Sequence, residues 1–224
     1  MMRGWFWILL VATTLLSGCT GDPPLLDPTS GTVASQRQAA VDDLRHGARA
    51  AADQFLAGDP LGVRTYTACT AGTDNWKIHD SYRSTCYVKL TTAYAVDVPA
   101  LPALSGLDNR LAVAGWRSTR GGWTITGGRG QVDGIEALNR LGYHLEDLEG
   151  ITYGGPPGAA MGVRLQASAT PVSTPEPAAS VQPGGAYFAS TEGTDWQTAW
   201  AQQRSAHPYL LLVSGSFNFA RQPR

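Results

Sequence analysis

Apolar side chains recur at steps of three and four between residues 34 and 57, at Val41, Leu44, Ala48, Ala51 and Phe55. That spacing lays one apolar stripe along a helix and leaves Asp42, Asp43, Arg45 and Arg49 on faces that water reaches. Ser35 followed by Gln38 has the spacing of a capping box, and Gly58 with Pro60 stops the segment. The stripe needs a sheet to cover. Alternation over 87–96 puts Val88, Leu90, Thr92, Tyr94 and Val96 on one side of a strand. Residues 115–126 predict a hairpin, turning at Arg120, Gly121 and Gly122 between Trp116 and Trp123. Met161, Val163, Leu165, Ala167 and Ala169 alternate with small or polar residues, the pattern of a half-buried strand. Residues 209–219 begin almost continuously apolar, as a central strand does.

Helical spacing returns at Leu101, Leu104, Leu107 and Leu111, predicting a second helix over 100–114. Ile135, Leu138, Leu141 and Leu145 predict a third, and 194–206 a short fourth with Trp196 and Trp200 on one face. Pro171, Pro175, Pro177 and Pro183 mark 168–186 as a mobile excursion. The residues after it are too few for a core of their own, so the last strand is expected back in the main sheet. The expected fold is α+β: a single domain over 34–220, an antiparallel sheet of four or five strands with helices packed on one face. Strands and helices do not alternate as parallel crossover units require, which argues against a nucleotide-binding sheet.

Composition moves the picture outward from the fold. The 224 residues carry 17 basic and 18 acidic side chains, a net charge of −1, so no basic field gathers a nucleic acid. The chain opens with Arg3, runs apolar over 5–16, and then reads Leu16-Ser17-Gly18-Cys19. A positive start, a short apolar stretch and small residues before a cleavage point describe an export signal over 1–18. The run is too short to span a bilayer, which takes about 20 residues. Leu-Ser-Gly-Cys resembles a bacterial lipobox, and the resemblance implies cleavage before Cys19 and a diacylglyceryl thioether on it. The chain is then expected on the extracytoplasmic face of the cell membrane, held through lipidated Cys19. Residues 19–33, with Pro23, Pro24 and Pro28, read as a spacer.

Cysteines number three. Export places Cys69 and Cys86 in an oxidising compartment, where a disulfide is expected between them. Spacing argues against a metal or redox site, because there is no Cys-x-x-Cys and no histidine at ligand distance in sequence from either. The polar, turn-rich stretch they enclose gains most from a crosslink. Cys69, Gly72, Trp76-Lys77, Asp80, Tyr82 and Cys86, then a strand and a Leu-rich helix ending Gly115-Trp116, resemble a family of uncharacterised actinobacterial lipoproteins. The closing stretch, a helix, His207-Pro208 and a hydrophobic strand, fits the same pattern. That resemblance implies fold and location and carries no catalytic residue.

Chemistry is sparse in the sequence. There is no Gly-x-Ser-x-Gly elbow and no His-Glu-x-x-His, and the Gly127–Gly134 stretch misses dinucleotide spacing. His46, His79, His144 and His207 are scattered, and no cofactor or metal is expected. Ser214-Gly215-Ser216 reads as small residues relieving crowding in a strand. Glu146, Asp147 and Glu149 read as a solvated helix face. The strongest constellation is Trp76, Lys77, His79, Asp80 and Tyr82, which a disulfide-held loop presents together as a recognition surface. The expectation is a non-enzymatic binding module for a protein, glycan or lipid ligand of the cell envelope. An envelope hydrolase with an unfamiliar site is the alternative.

Overall fold

Residues 25–75, 77–97, 106–119, 123–125, 131–132, 148–167 and 186–224 are described by the structure, a computed structural model. Helix α1 (Gly31–Gln54) leads into β1 (Gly62–Ala71) and β2 (Tyr82–Val96). Helix α2 (Leu107–Val113), β3 (Arg117–Ser118), β4 (Trp123–Ile125), β5 (Gln131–Val132), β6 (Leu148–Gly154) and β7 (Ala159–Ala167) follow. Strand β8 (Ala186–Gly193), helix α3 (Trp196–Gln203) and β9 (Tyr209–Pro223) complete the described elements.

Nine described strands share one sheet in the order β5-β4-β6-β7-β9-β2-β1-β8, with β3 paired to β6 beside that path. Every pairing is antiparallel. The α+β, antiparallel expectation stands, but four or five strands was too few: seven form the main body before the short β4 and β5 are added. Strand β1 escaped the periodicity reading because Thr65, Thr67 and Thr70 blur its alternation, threonine being at home on either face of a sheet. The expected 115–126 hairpin is corrected as well. Its two arms, β3 and β4, do not pair with each other; both lie along β6, at Tyr153–Gly154 and Leu148–Gly150. The last strand does return, lying between β7 and β2.

The alternation expected in β2 decides the two faces. Val88, Leu90, Tyr94 and Val96 are buried under α1, together with Leu211 and Val213 of β9 and Met161, Val163 and Leu165 of β7. Ala93, Leu210 and the half-buried Ala95 and Leu212 point the other way, where Trp196 and Trp200 of α3 cover them. Helices on one face is therefore a third correction: α1 and α2 cover one face, and α3 caps one end of the opposite face. Small residues set the spacing on the α1 side. A Cβ at Gly215 would lie 2.5 Å from Leu44 Cδ2, and one at Gly47 would lie 2.6 Å from Trp116 Nε1. Both glycines thus allow close contact that any side chain would block. The sequence reading of Gly215 as relief from crowding has its cause in Leu44.

Helix limits differ from the reading in one detail of chemistry. Helix α1 starts at Gly31 with Ser30 as its N-cap, and Ser35 Oγ donates to Gly31 O inside the first turns instead of making a capping box. Helix α2 ends in a Schellman motif: Trp116 N–H donates to Leu111 O and Gly115 N–H to Ala112 O, with Gly115 at φ 85°. That turn drives Trp116, 1% exposed, into the core. The expected third helix and most of the Pro-rich excursion lie outside the described residues, as do the export signal and Cys19. Glu149, assigned to a helix face, belongs to β6. From Leu25 onward the expected spacer lies on the domain. Leu26 packs by Val33, Cys69 and Cys86, and its N–H donates to Ser84 Oγ at 3.3 Å.

Candidate functional site

Cys69 and Cys86 sit directly opposite each other in β1 and β2 and are joined by a disulfide. Both are fully buried, against Val33 of α1 and the partly buried Leu26, Phe219 and Ala220. The bond closes the β1–β2 connection, residues 72–81, at its base.

Above the bond, polar side chains fold the connection back on itself. Asp74 and His79 form an isolated antiparallel bridge, and His79 Nδ1 lies 2.7 Å from Asp74 Oδ1. Asn75 Oδ1 accepts the N–H groups of Lys77 and Ile78, each at 2.9 Å, an Asx-type turn. Asp80 Oδ2 accepts Thr73 N–H at 2.6 Å, and Asp80 N–H donates to Thr73 O at 3.0 Å. Arg224 reaches over from the end of β9, ion-pairing with Asp74 and donating to Tyr82 O and Thr73 O at 3.2 Å. The hydrogen bond from His79, and next the charge of Arg224, hold the Asp74 carboxyl below its ordinary value. Arg221 lies over the Tyr82 ring, 4.5 Å from its centroid, and donates to Ser81 Oγ.

The structure thus separates the candidates by task. His79, Asp80 and Tyr82 serve the loop's own shape, whereas Lys77 and Ile78 are exposed, Ile78 by 53%. Trp76 lies outside the described residues. Beside the loop, a cleft of about 550 Å³ is lined by Leu25, Gly72, Asp74, Arg83 and Arg224 among others.

A second surface went unnoticed in the sequence: the face of the sheet turned away from α1. Tyr66 of β1 and Tyr87 of β2 meet there with ring centroids 6.0 Å apart, and Lys89 Nζ lies 5.8 Å from the Tyr87 centroid. Burial, then a hydrogen bond with Tyr66, pushes the Tyr87 phenol up to about 12. Next to this pair runs a shallow trough of about 240 Å³ lined by Lys89, Thr91, Thr152, Gly162, Ser214 and Ser216 among others. Tyr66 and Tyr87 become neighbours only through the β1–β2 register, which no local pattern records. Read as a strand, the alternation of Arg64, Tyr66 and Ala68 with Val63, Thr65 and Thr67 would have revealed β1 itself.

The Asp74–His79 pair is exposed and tied to Arg224, and among the described residues no hydroxyl or thiol nucleophile shares its hydrogen bonds. Among the described residues no three His, Cys, Asp or Glu side chains converge as metal ligands, and no helix is long and apolar enough to cross a membrane. No protein-family model, no curated protein and no solved structure matches the chain.

Proposed function

We propose that this chain is a lipid-anchored lipoprotein of the extracytoplasmic membrane face, acting as a binding module of the cell envelope. The observation that carries the location is the Cys69–Cys86 bond. It takes two of three cysteines and leaves Cys19, in its Leu-Ser-Gly-Cys setting, for lipid. A buried disulfide also suits an oxidising compartment. The binding role is supported by the sheet face opposite α1, where Tyr66, Tyr87 and Lys89 stand beside a trough. Amphipathic rings offer broad contact area at small entropic cost, and Lys89 adds positive charge beside them.

Lipid attachment is tested in cells that express the whole chain. Wild-type protein should incorporate labelled palmitate and partition into detergent, and Cys19→Ala should do neither. Equal labelling of the two proteins would refute the anchor. The binding face is tested with a photoreactive phenylalanine analogue at Tyr66, Tyr87 or the distant Asp59. Discrete adducts at 66 and 87 with none at 59 are expected, and the same adduct pattern at all three would reject the face.

A further inference from the structure

We propose that the end of the sheet bearing the β1–β2 loop rests against phospholipid headgroups, with Arg221 turned toward headgroup phosphates. The inference rests on the lipid-anchor reading above. Its basis is the placement of Leu25 and Leu26. Leu26 is held at this end by Ser84 and the disulfide cluster, and Leu25 lines the same cleft as Arg83 and Arg224. Six residue steps separate Leu25 from Cys19. Whatever their conformation, six steps reach at most about 20 Å. Strand β2 alone has 15 residues and runs about 45 Å from this end to the other. The tether therefore enters at one pole of an elongated sheet and is short against its length.

Charge favours the same orientation. Lys77, Arg83, Arg221 and Arg224 stand at the tether pole against Asp27, Asp74 and Asp80. The far pole carries Asp53, Asp59, Asp97 and Asp195 against Arg49 and Arg204, with Arg49 paired to Asp53 at 2.8 Å. An anionic bilayer thus draws the tether pole and repels the other. Guanidinium groups match phosphate oxygens in a planar fork, and Arg221 has donors beyond the one it gives Ser81 Oγ. Ile78, exposed at the loop tip, offers an apolar side chain to the interface.

The test uses the whole chain, processed in cells and reconstituted into phosphatidylcholine vesicles containing phosphatidylglycerol and a headgroup-nitroxide lipid. A fluorophore is placed through Ile78→Cys or Asp59→Cys, both exposed positions at opposite poles. Quenching at 78 should exceed that at 59 several-fold, and should fall when Arg221→Gln is added or phosphatidylglycerol is omitted. Equal quenching at both poles, on protein whose Cys19 carries lipid by mass, overturns the inference and leaves the anchor standing. A Cys19 without lipid overturns the anchor and the inference with it.

Discussion

Leu56 follows α1 with φ 51°, a left-handed backbone angle that glycine adopts at no steric cost. Its N–H and that of Ala57 close the helix on Asp53 O and Ala52 O, so the angle is required there. The side chain is 80% exposed and contributes little packing. Leu56→Gly should therefore raise stability by about 0.5–1 kcal/mol, seen as a higher midpoint in urea. A buried hydroxyl gives a second asymmetry. Tyr153, fully buried, donates to Asp108 Oδ1 at 2.7 Å, while Asp108 itself faces water. Tyr153→Phe leaves a carboxylate that water can solvate and should cost about 1 kcal/mol. Asp108→Ala strands the buried phenol and should cost more, about 1–3 kcal/mol by chemical denaturation. Asp74 sets the behaviour of the loop in acid. Its carboxyl titrates below the ordinary value of 3.8 because His79 and Arg224 favour the charged form. The support it gives is present above that ordinary value and is lost as pH falls through the lowered one. Amide exchange at Lys77 and Ile78 should accelerate in that acid window ahead of exchange in β2, and uniform acceleration would remove the Asp74 explanation.

Elements were legible where one face of the pattern is cleanly apolar. The α1 stripe and the 88–96 alternation are of that kind, because a helix or strand half buried against a uniform core shows its period directly. Strand β1 was not, since Thr67 is buried while Thr65 is only half so, and the residue type records neither. Arms β3 and β4 look like a hairpin in sequence because turn residues separate them; pairing with β6 is decided by a strand that follows later in the chain. Crosslinking belongs to this scale too. The Cys69–Cys86 bond spans 17 residues, and replacing both by alanine should cost about 3 kcal/mol, with reduction of the wild type giving a similar loss. Strand pairing of β1 with β8 should weaken along with it, because Cys69 faces Phe188 in that ladder. The candidate loop was legible as a loop and as disulfide-bounded. Its chemistry was not, because His79 and Asp80 take their roles from Asp74, Thr73 and Arg224, the last brought in by β9.

At the scale of the molecule, β9 joins what the sequence keeps apart. It pairs with β2 and β7, brings Arg221 and Arg224 to the β1–β2 loop, and supplies Ser214 and Ser216 to the trough on the face opposite α1. The proposed lipid anchor and the arginine-bearing pole are related through this return, which sets Leu25 beside Arg224. By itself the sequence determined the α+β class, the position of α1, the faces of β2 and the pairing of its two central cysteines. Those depend on local period and composition, which survive in one dimension. Tertiary structure alone decided the nine-strand order, the placing of α3 on the second face, and the meeting of Tyr66, Tyr87 and Lys89. Such features come from strand register and long-range pairing, where residues far apart in the chain share one surface and no local pattern records their distance.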